Sequence, residues 1–219
     1  MTRRFFLITL TTVLLLSICS CAPEPVILSE SEISVLRESY PVADTLSHGS
    51  VSFEQAFYLS CAIVTAEMNN GLEFGRRDAR YNKELYPSTH AGVYLPITIN
   101  KVLHGDGVLS EGDEIRIYLG SGQFFSAYDA FTEGRQYIFF VTPGQDISAY
   151  YDDTVFGGGE IFSAYITDDG YILPVTEKGP FETHNGYSLD SYEDALPKLI
   201  KAAQKATRNK TREEILYIS

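Results

Sequence analysis

Val93-Tyr94-Leu95-Pro96-Ile97-Thr98-Ile99-Asn100 is the stretch that decides the fold, because Val93, Leu95, Ile97 and Ile99 alternate with Tyr94, Pro96, Thr98 and Asn100. A period of two places the aliphatic set on one face of an extended segment. Pro96 has no N–H to give to a ladder, so it marks an edge, a bulge or a strand that begins after it. Ile115, Ile117 and Leu119 repeat the same period after the turn-forming Glu111-Gly112-Asp113. Both segments read as half-buried antiparallel strands.

Outward from this pair, Ala62 to Ala66 reads as a first core strand, preceded by a short helix with Ser52 as its cap and Gln55 at the capping-box position. Asn69 to Tyr86 is polar and broken by Gly71 and Gly75, which predicts an elaborated loop. Its surroundings hold Glu67, Glu73, Arg76, Arg77, Asp78, Arg80 and Lys83, read as mixed charge on a solvated surface. Downstream, Tyr137 to Val141 is continuously apolar and ends at Pro143-Gly144. Extended segments follow around Ile147 to Tyr151 and Ile161 to Ile166, then a Thr167-Asp168-Asp169-Gly170 turn and Tyr171 to Val175. So many short strands predict a mainly β fold: a small antiparallel barrel with a short N-terminal helix and a C-terminal helix. For the latter, Ser191-Tyr192-Glu193-Asp194 resembles a capping box, and Leu196, Leu199, Ile200 and Ala203 form an apolar stripe. Pro197 conflicts with a helix begun at Tyr192 unless the helix bends or starts later.

Three segments together resemble exported domains built on an OB-like barrel, and the barrel of the tissue metalloproteinase inhibitors. They are Ala62-Ile63-Val64, Leu95 to Gly105 with Glu111 to Ile117, and Phe131-Thr132-Glu133-Gly134-Arg135-Gln136-Tyr137-Ile138-Phe139-Phe140. The resemblance covers about residues 60–175 and implies a fold rather than an activity. Inhibition of metalloproteinases is not carried over. That family uses a free N-terminal cysteine against the enzyme's metal, and it has a disulfide framework that this chain lacks.

The chain opens MTRRFFLITLTTVLLLSICSCAP, with Arg3 and Arg4 before an apolar run from Phe5 to Ile18. As a helix those fourteen residues span roughly 21 Å, short of a hydrocarbon core of about 30 Å. The run is therefore read as a signal peptide. Ile18-Cys19-Ser20-Cys21 resembles a bacterial lipobox, with Cys21 as the lipid acceptor and Cys19 in a slot usually held by a small or aliphatic residue. Cys19 as the acceptor would put bulky Ile18 directly before the cleavage site. An ordinary signal peptide or a modest membrane-anchoring segment is the alternative. The expected organisation is signal peptide 1–20, lipid anchor and tether 21–50, OB-like barrel 51–180 and C-terminal helical extension 181–219. Acylation through more than one chain, palmitate included, would fix the protein to the cell membrane outside the cytoplasm.

Removal of Arg3 and Arg4 leaves fifteen Lys and Arg against twenty-nine Asp and Glu, a net charge of −14 with histidine neutral. Such a surface repels phosphate backbones and anionic headgroups, which argues against nucleic acid and against purely electrostatic membrane binding. The only strongly basic segment is Lys201, Lys205, Arg208, Lys210 and Arg212, after the apolar stripe. With Cys21 acylated, Cys61 has no partner for an internal disulfide, and its apolar setting predicts a structural thiol.

The remaining chemical candidates are dispersed. Asp152-Asp153 and Asp168-Asp169 offer oxygen ligands without the spacing of a calcium hand, so turns are expected. Asp106 and Asp113 also suit turns. His48, His90, His104 and His184 are far apart in sequence, and Ser88-Thr89-His90 would need a distant Asp to act as a hydrolase. Gly120-Ser121-Gly122 lacks the lysine and hydroxyl of a phosphate loop. The expectation is a noncatalytic binding module without a cofactor or metal, joined to membrane lipid through Cys21. An envelope protein or glycan would meet it on Tyr150, Tyr151, Tyr165, Tyr171 or Tyr187 where these face outward; the alternative is an exported hydrolase.

Overall fold

The computed structural model describes residues 24–43, 50–76, 79–81, 84–86, 91–105, 107–120, 129–143 and 155–216. Residues 1–20, expected to be a signal peptide, Cys21 and the segment around Ile147 to Tyr151 lie outside them. A capped helix α1 (Glu30–Leu36) and a second, α2 (Phe53–Leu59), lead into strand β1 (Ala62–Met68). Ser52 caps α2 reciprocally with Gln55, as the spacing predicts. The strands that follow are β2 (Glu73–Arg76), β3 (Ala79–Tyr81), β4 (Glu84–Tyr86), β5 (Ala91–Gly105), β6 (Glu114–Gly120), β7 (Gln136–Val141), β8 (Val155–Phe156), β9 (Ser163–Ile166) and β10 (Ile172–Pro174). Helices α3 (Leu189–Thr207) and α4 (Arg212–Leu216) complete the described chain.

The main sheet runs β10-β9-β7-β1-β5-β6-β8 as an open path, with β2 beside the first part of β5 and β3-β4 forming a separate pair. The sheet is mixed and not purely antiparallel: β8 lies parallel to β6, Val155 opposite Arg116 and Phe156 opposite Ile117. The parallel pair arises because β7 intervenes in sequence and sits elsewhere in the sheet, next to β1. One isolated bridge, with paired backbone hydrogen bonds of 2.8 and 2.9 Å, joins Thr142 after β7 to Gly157 after β8.

Alternation assigns the side chains to two layers. From β1, Val64, Ala66 and Met68 face one core with Leu95, Ile97, Ile99, Ile115, Ile117, Tyr137, Phe139, Tyr165 and Leu173. The opposite face of the β1, β7, β9 and β10 region carries Ile63, Ile138, Phe140, Ala164, Ile166 and Ile172, and packs with Ala56 of α2 and Tyr192 and Leu196 of α3. The continuous apolar run in β7 is thus a strand with apolar packing on both faces. Two register shifts in the β1–β5 ladder, at Ile63/Val64 and Thr65/Ala66, allow local bending and increased twist.

The fifteen residues of β5 continue through Pro96. On one side, β5 pairs with β1 as far as Ile97 and with β2 from Tyr94 onward, so Leu95 and Pro96 lie opposite the link between those strands. The proline therefore occupies a gap in the ladder, where its missing N–H removes no pairing bond. The Asn69–Tyr86 stretch, expected as a loop, instead supplies three short strands, because backbone pairing does not require an apolar face at a sheet edge.

At the N-terminus, Ser29 and Glu32 form a capping box on α1, and the chain then places Tyr40 and Ala43 in the first core. At the other end α3 starts one helical turn earlier than expected, capped by Ser188 rather than Ser191. Ser191 instead uses its hydroxyl to accept from Val26 N–H at 2.9 Å. Pro197 lies inside α3 on its exposed side, where solvent reaches the backbone group it leaves unpaired. The expected stripe faces inward: Leu196 and Ala203 are buried, while Leu199 and Ile200 pack partly against the same core. Asn209, at φ 99°, ends the helical path in the left-handed region.

Leu196→Ala should lower unfolding free energy by about 2–5 kcal/mol, measured by chemical denaturation. Tyr192 is as deeply buried, yet its hydroxyl has no hydrogen-bond partner among the described residues. Tyr192→Phe should therefore be neutral or stabilising in the same assay. A large loss in Tyr192→Phe, or none in Leu196→Ala, would contradict this packing.

Candidate functional site

One candidate site grows from the capping of α2. Gln55 Oε1 accepts from Ser52 N–H at 2.8 Å, which fixes the side chain so that its Nε2 donates to Leu216 O at 3.1 Å. That bond ties α4 to α2, while buried Ile215 anchors α4 from below. Thr211 and Glu214 cap α4 reciprocally. Across from the helices, Gly158 and Gly159 carry the chain past the sheet. A Cβ on Gly158 would stand 3.2 Å from Ile117 Cγ2, and Gly159 has φ +64°, so a side chain is disfavoured at both positions.

Between these walls lies an open cavity of about 600 Å³, within the usual size range of small-ligand sites. Val51, Leu59, Leu119, Ile161, Phe162 and Leu216 supply its apolar surface; Thr142, Glu160, Arg212 and Tyr118 supply polar groups. The arrangement suits an apolar group with a polar edge. Its carboxylate and guanidinium sit on separate elements, the first on the turn after β8 and the second on α4.

The sequence candidates do not converge on this cavity. Cys21, Cys19, His48, Ser88, Thr89, His90, Asp106, Ser121, Gly122, Tyr150, Tyr151, Asp152 and Asp153 lie outside the described residues. Cys61 is half-buried and donates from Sγ to Val141 O at 3.4 Å. His104 lies against the Phe57 ring, with centroids 5.3 Å apart, and lines a separate groove beside the Lys101–Glu193 ion pair. Asp113 accepts from Ser110 N–H at 2.7 Å and closes a turn. Asp168 donates its backbone N–H to Tyr40 Oη at 3.1 Å, and Gly170 completes that turn at φ +78°. Among the described residues, no three His, Cys, Asp or Glu side chains are grouped to hold a metal.

The tyrosines divide by face. Tyr165 is wholly buried, meets Tyr40 edge-on at 5.4 Å and donates to Pro41 O at 2.9 Å, so it supplies no outer surface. Burial pushes its phenol above the ordinary range and raises Tyr137 to about 12. Tyr171 and Tyr187 are half-buried beside α1 and the N-terminal segment. Arg135 lies 4.8 Å over the Tyr40 ring, and Arg37 donates to Pro174 O at 2.8 Å, with its pKa lowered by burial. These cations stabilise the seam between the N-terminal segment and the sheet.

Sequence reading missed Gln55 as a tie to α4, and it missed α4 itself. The readable signal for α4 was Thr211-Arg212-Glu213-Glu214, a capping box placed just before Ile215-Leu216. No protein-family model matches the chain. No curated protein matches it either.

His184 is buried against Tyr187 and Tyr192, with ring centroids 5.1 and 5.2 Å away, and its Nδ1 lies 3.1 Å from Thr183 Oγ1. Burial lowers its pKa below the ordinary 6.5. The unfolded chain then binds the proton first, so stability falls as pH drops through 6.5 toward the folded value. Denaturation midpoints should decline between about pH 7 and 5, less steeply in His184→Gln. Equal slopes would remove His184 as the cause.

Proposed function

We propose that this chain is an exported lipoprotein, acylated at Cys21 after removal of residues 1–20, whose domain binds an envelope partner without transforming it. The address rests on Arg3, Arg4, the Phe5–Ile18 run and the Ile18-Cys19-Ser20-Cys21 sequence. Lipid would hold it at the cell membrane, outside the cytoplasm. The domain is an OB-like barrel on this reading. Support comes from the order β7-β1-β5-β6-β8, the parallel β6–β8 pair, and the Thr142–Gly157 bridge that links the two ends of that order.

The cavity between α2 and α4 is the observation that carries binding. Its mainly apolar lining favours the side chains of an envelope protein over a glycan, whose many hydroxyls require more hydrogen-bonding partners. Leu216 presents an exposed apolar edge there. The reading assigns recognition to this cavity, with no covalent step at Cys61.

Intact mass of the membrane-extracted protein should show acyl mass on a chain beginning at Cys21, and Cys21→Ser should abolish it. An unacylated mature chain from the wild type would defeat the address. For binding, a soluble form starting after Cys21 should capture a discrete envelope protein, and Leu216→Glu should weaken capture by about tenfold, roughly 1.4 kcal/mol. Unchanged capture at equal thermal stability would move recognition away from the cavity. Reproducible substrate turnover lost in a folded Cys61→Ala variant would replace binding with an exported hydrolase.

A further inference from the structure

The N-terminal segment is fastened at a definite place. Val26 donates its N–H to Ser191 Oγ and accepts from Ser188 N–H, both at 2.9 Å, while Leu28 N–H donates to Gly186 O at 2.9 Å. Ile27 bridges Tyr187, and Tyr171 bridges Ser188. These bonds hold residues 26–28 against the chain that leads into α3. They also connect an exposed apolar surface: Val26 is 55% exposed, Ile27 46% and Val35 68%. Val35 shares a groove of about 400 Å³ with Leu28 and Tyr171, so the α1 side adjoins the 26–28 segment through Leu28.

Only five residue steps separate Cys21 from Val26. Fully extended, that length reaches about 17 Å. A lipid on Cys21 therefore cannot hold this face far from the membrane. We propose that the face formed by Val26, Ile27, Val35, Tyr171 and Tyr187 lies on the lipid bilayer, fixing the orientation of the domain as well as its location.

The proposal rests on acylation of Cys21. Exposed aliphatic side chains and half-buried tyrosines fit shallow contact at the boundary between headgroups and acyl chains. Glu32 and Asp169 line the groove, and Glu24 and Glu30 are exposed on the adjoining segment, which disfavours attraction to anionic headgroups. The partner is thus a largely zwitterionic bilayer, held by the anchor and by apolar contact. The α2–α4 cavity is a separate surface with its own lining.

The chain contains no tryptophan, so a single introduced indole reports from one place. Acylated protein carrying Val35→Trp, Ile27→Trp or, as the comparison, Phe74→Trp is placed in phosphatidylcholine vesicles with brominated acyl chains. Phe74 is 71% exposed on β2, which pairs with β5 away from the β10 edge of the sheet. Val35→Trp and Ile27→Trp should emit further to the blue and be quenched several-fold more strongly than Phe74→Trp. Either of the first two, folded, suffices to read the face. Equal quenching at all three positions, with acyl mass present, overturns the orientation while leaving the anchor intact. Absence of acyl mass overturns both, and places the fault in the reading of Cys21.

Discussion

Burial on both faces of the β1–β7 pair is the constraint from which the rest of the structure follows. Val64 and Phe139 point into one core, and Ile63 and Phe140 into the other. A strand pair of this kind needs two apolar covers, since water on either side would meet large aliphatic and aromatic groups. The curved sheet and Tyr40 supply one cover. Helices α2 and α3 supply the second, and their contact with each other seals it. The cavity is a by-product of this arrangement: α4 extends the helical cover past the sheet and leaves space between Leu216 and Leu119.

The alternation at Leu95–Ile99 and Ile115–Ile117 was legible because those strands bury one face against a continuous core. The stripe at Leu196 and Ala203 was legible for the same reason, with the helical period replacing that of a strand. Boundaries were harder. Ser191 and Ser188 are both competent caps, and the choice follows from Val26, which comes more than 160 residues earlier and takes the Ser191 hydroxyl. Strand β2 was hidden because its pairing uses backbone groups along an unusually long β5, while its side chains read as those of a polar loop.

The tyrosines show the same limit at the level of function. Tyr165 and Tyr171 both lie in extended segments that the sequence marks, yet one lies between Tyr40 and Tyr137 in the core and the other borders an outer groove. The cover on Tyr165 comes from Tyr40 and Pro41, more than 120 residues earlier in sequence, and so leaves no mark in its local pattern. The cavity was likewise illegible as a unit. Its parts come from α2, β6, the glycine turn after β8 and α4, and only their packing gives them a common volume.

The attachment of Val26 to Ser188 and Ser191 also orders events in time. A polypeptide that emerges from its N-terminus presents residues 26–28 long before their partners exist, and β1 before β7 can pair with it. Contacts this distant carry a large loop-closure cost and are formed late. The first segment to arrive is consequently among the last to be secured, and for most of its emergence the chain remains an open thread.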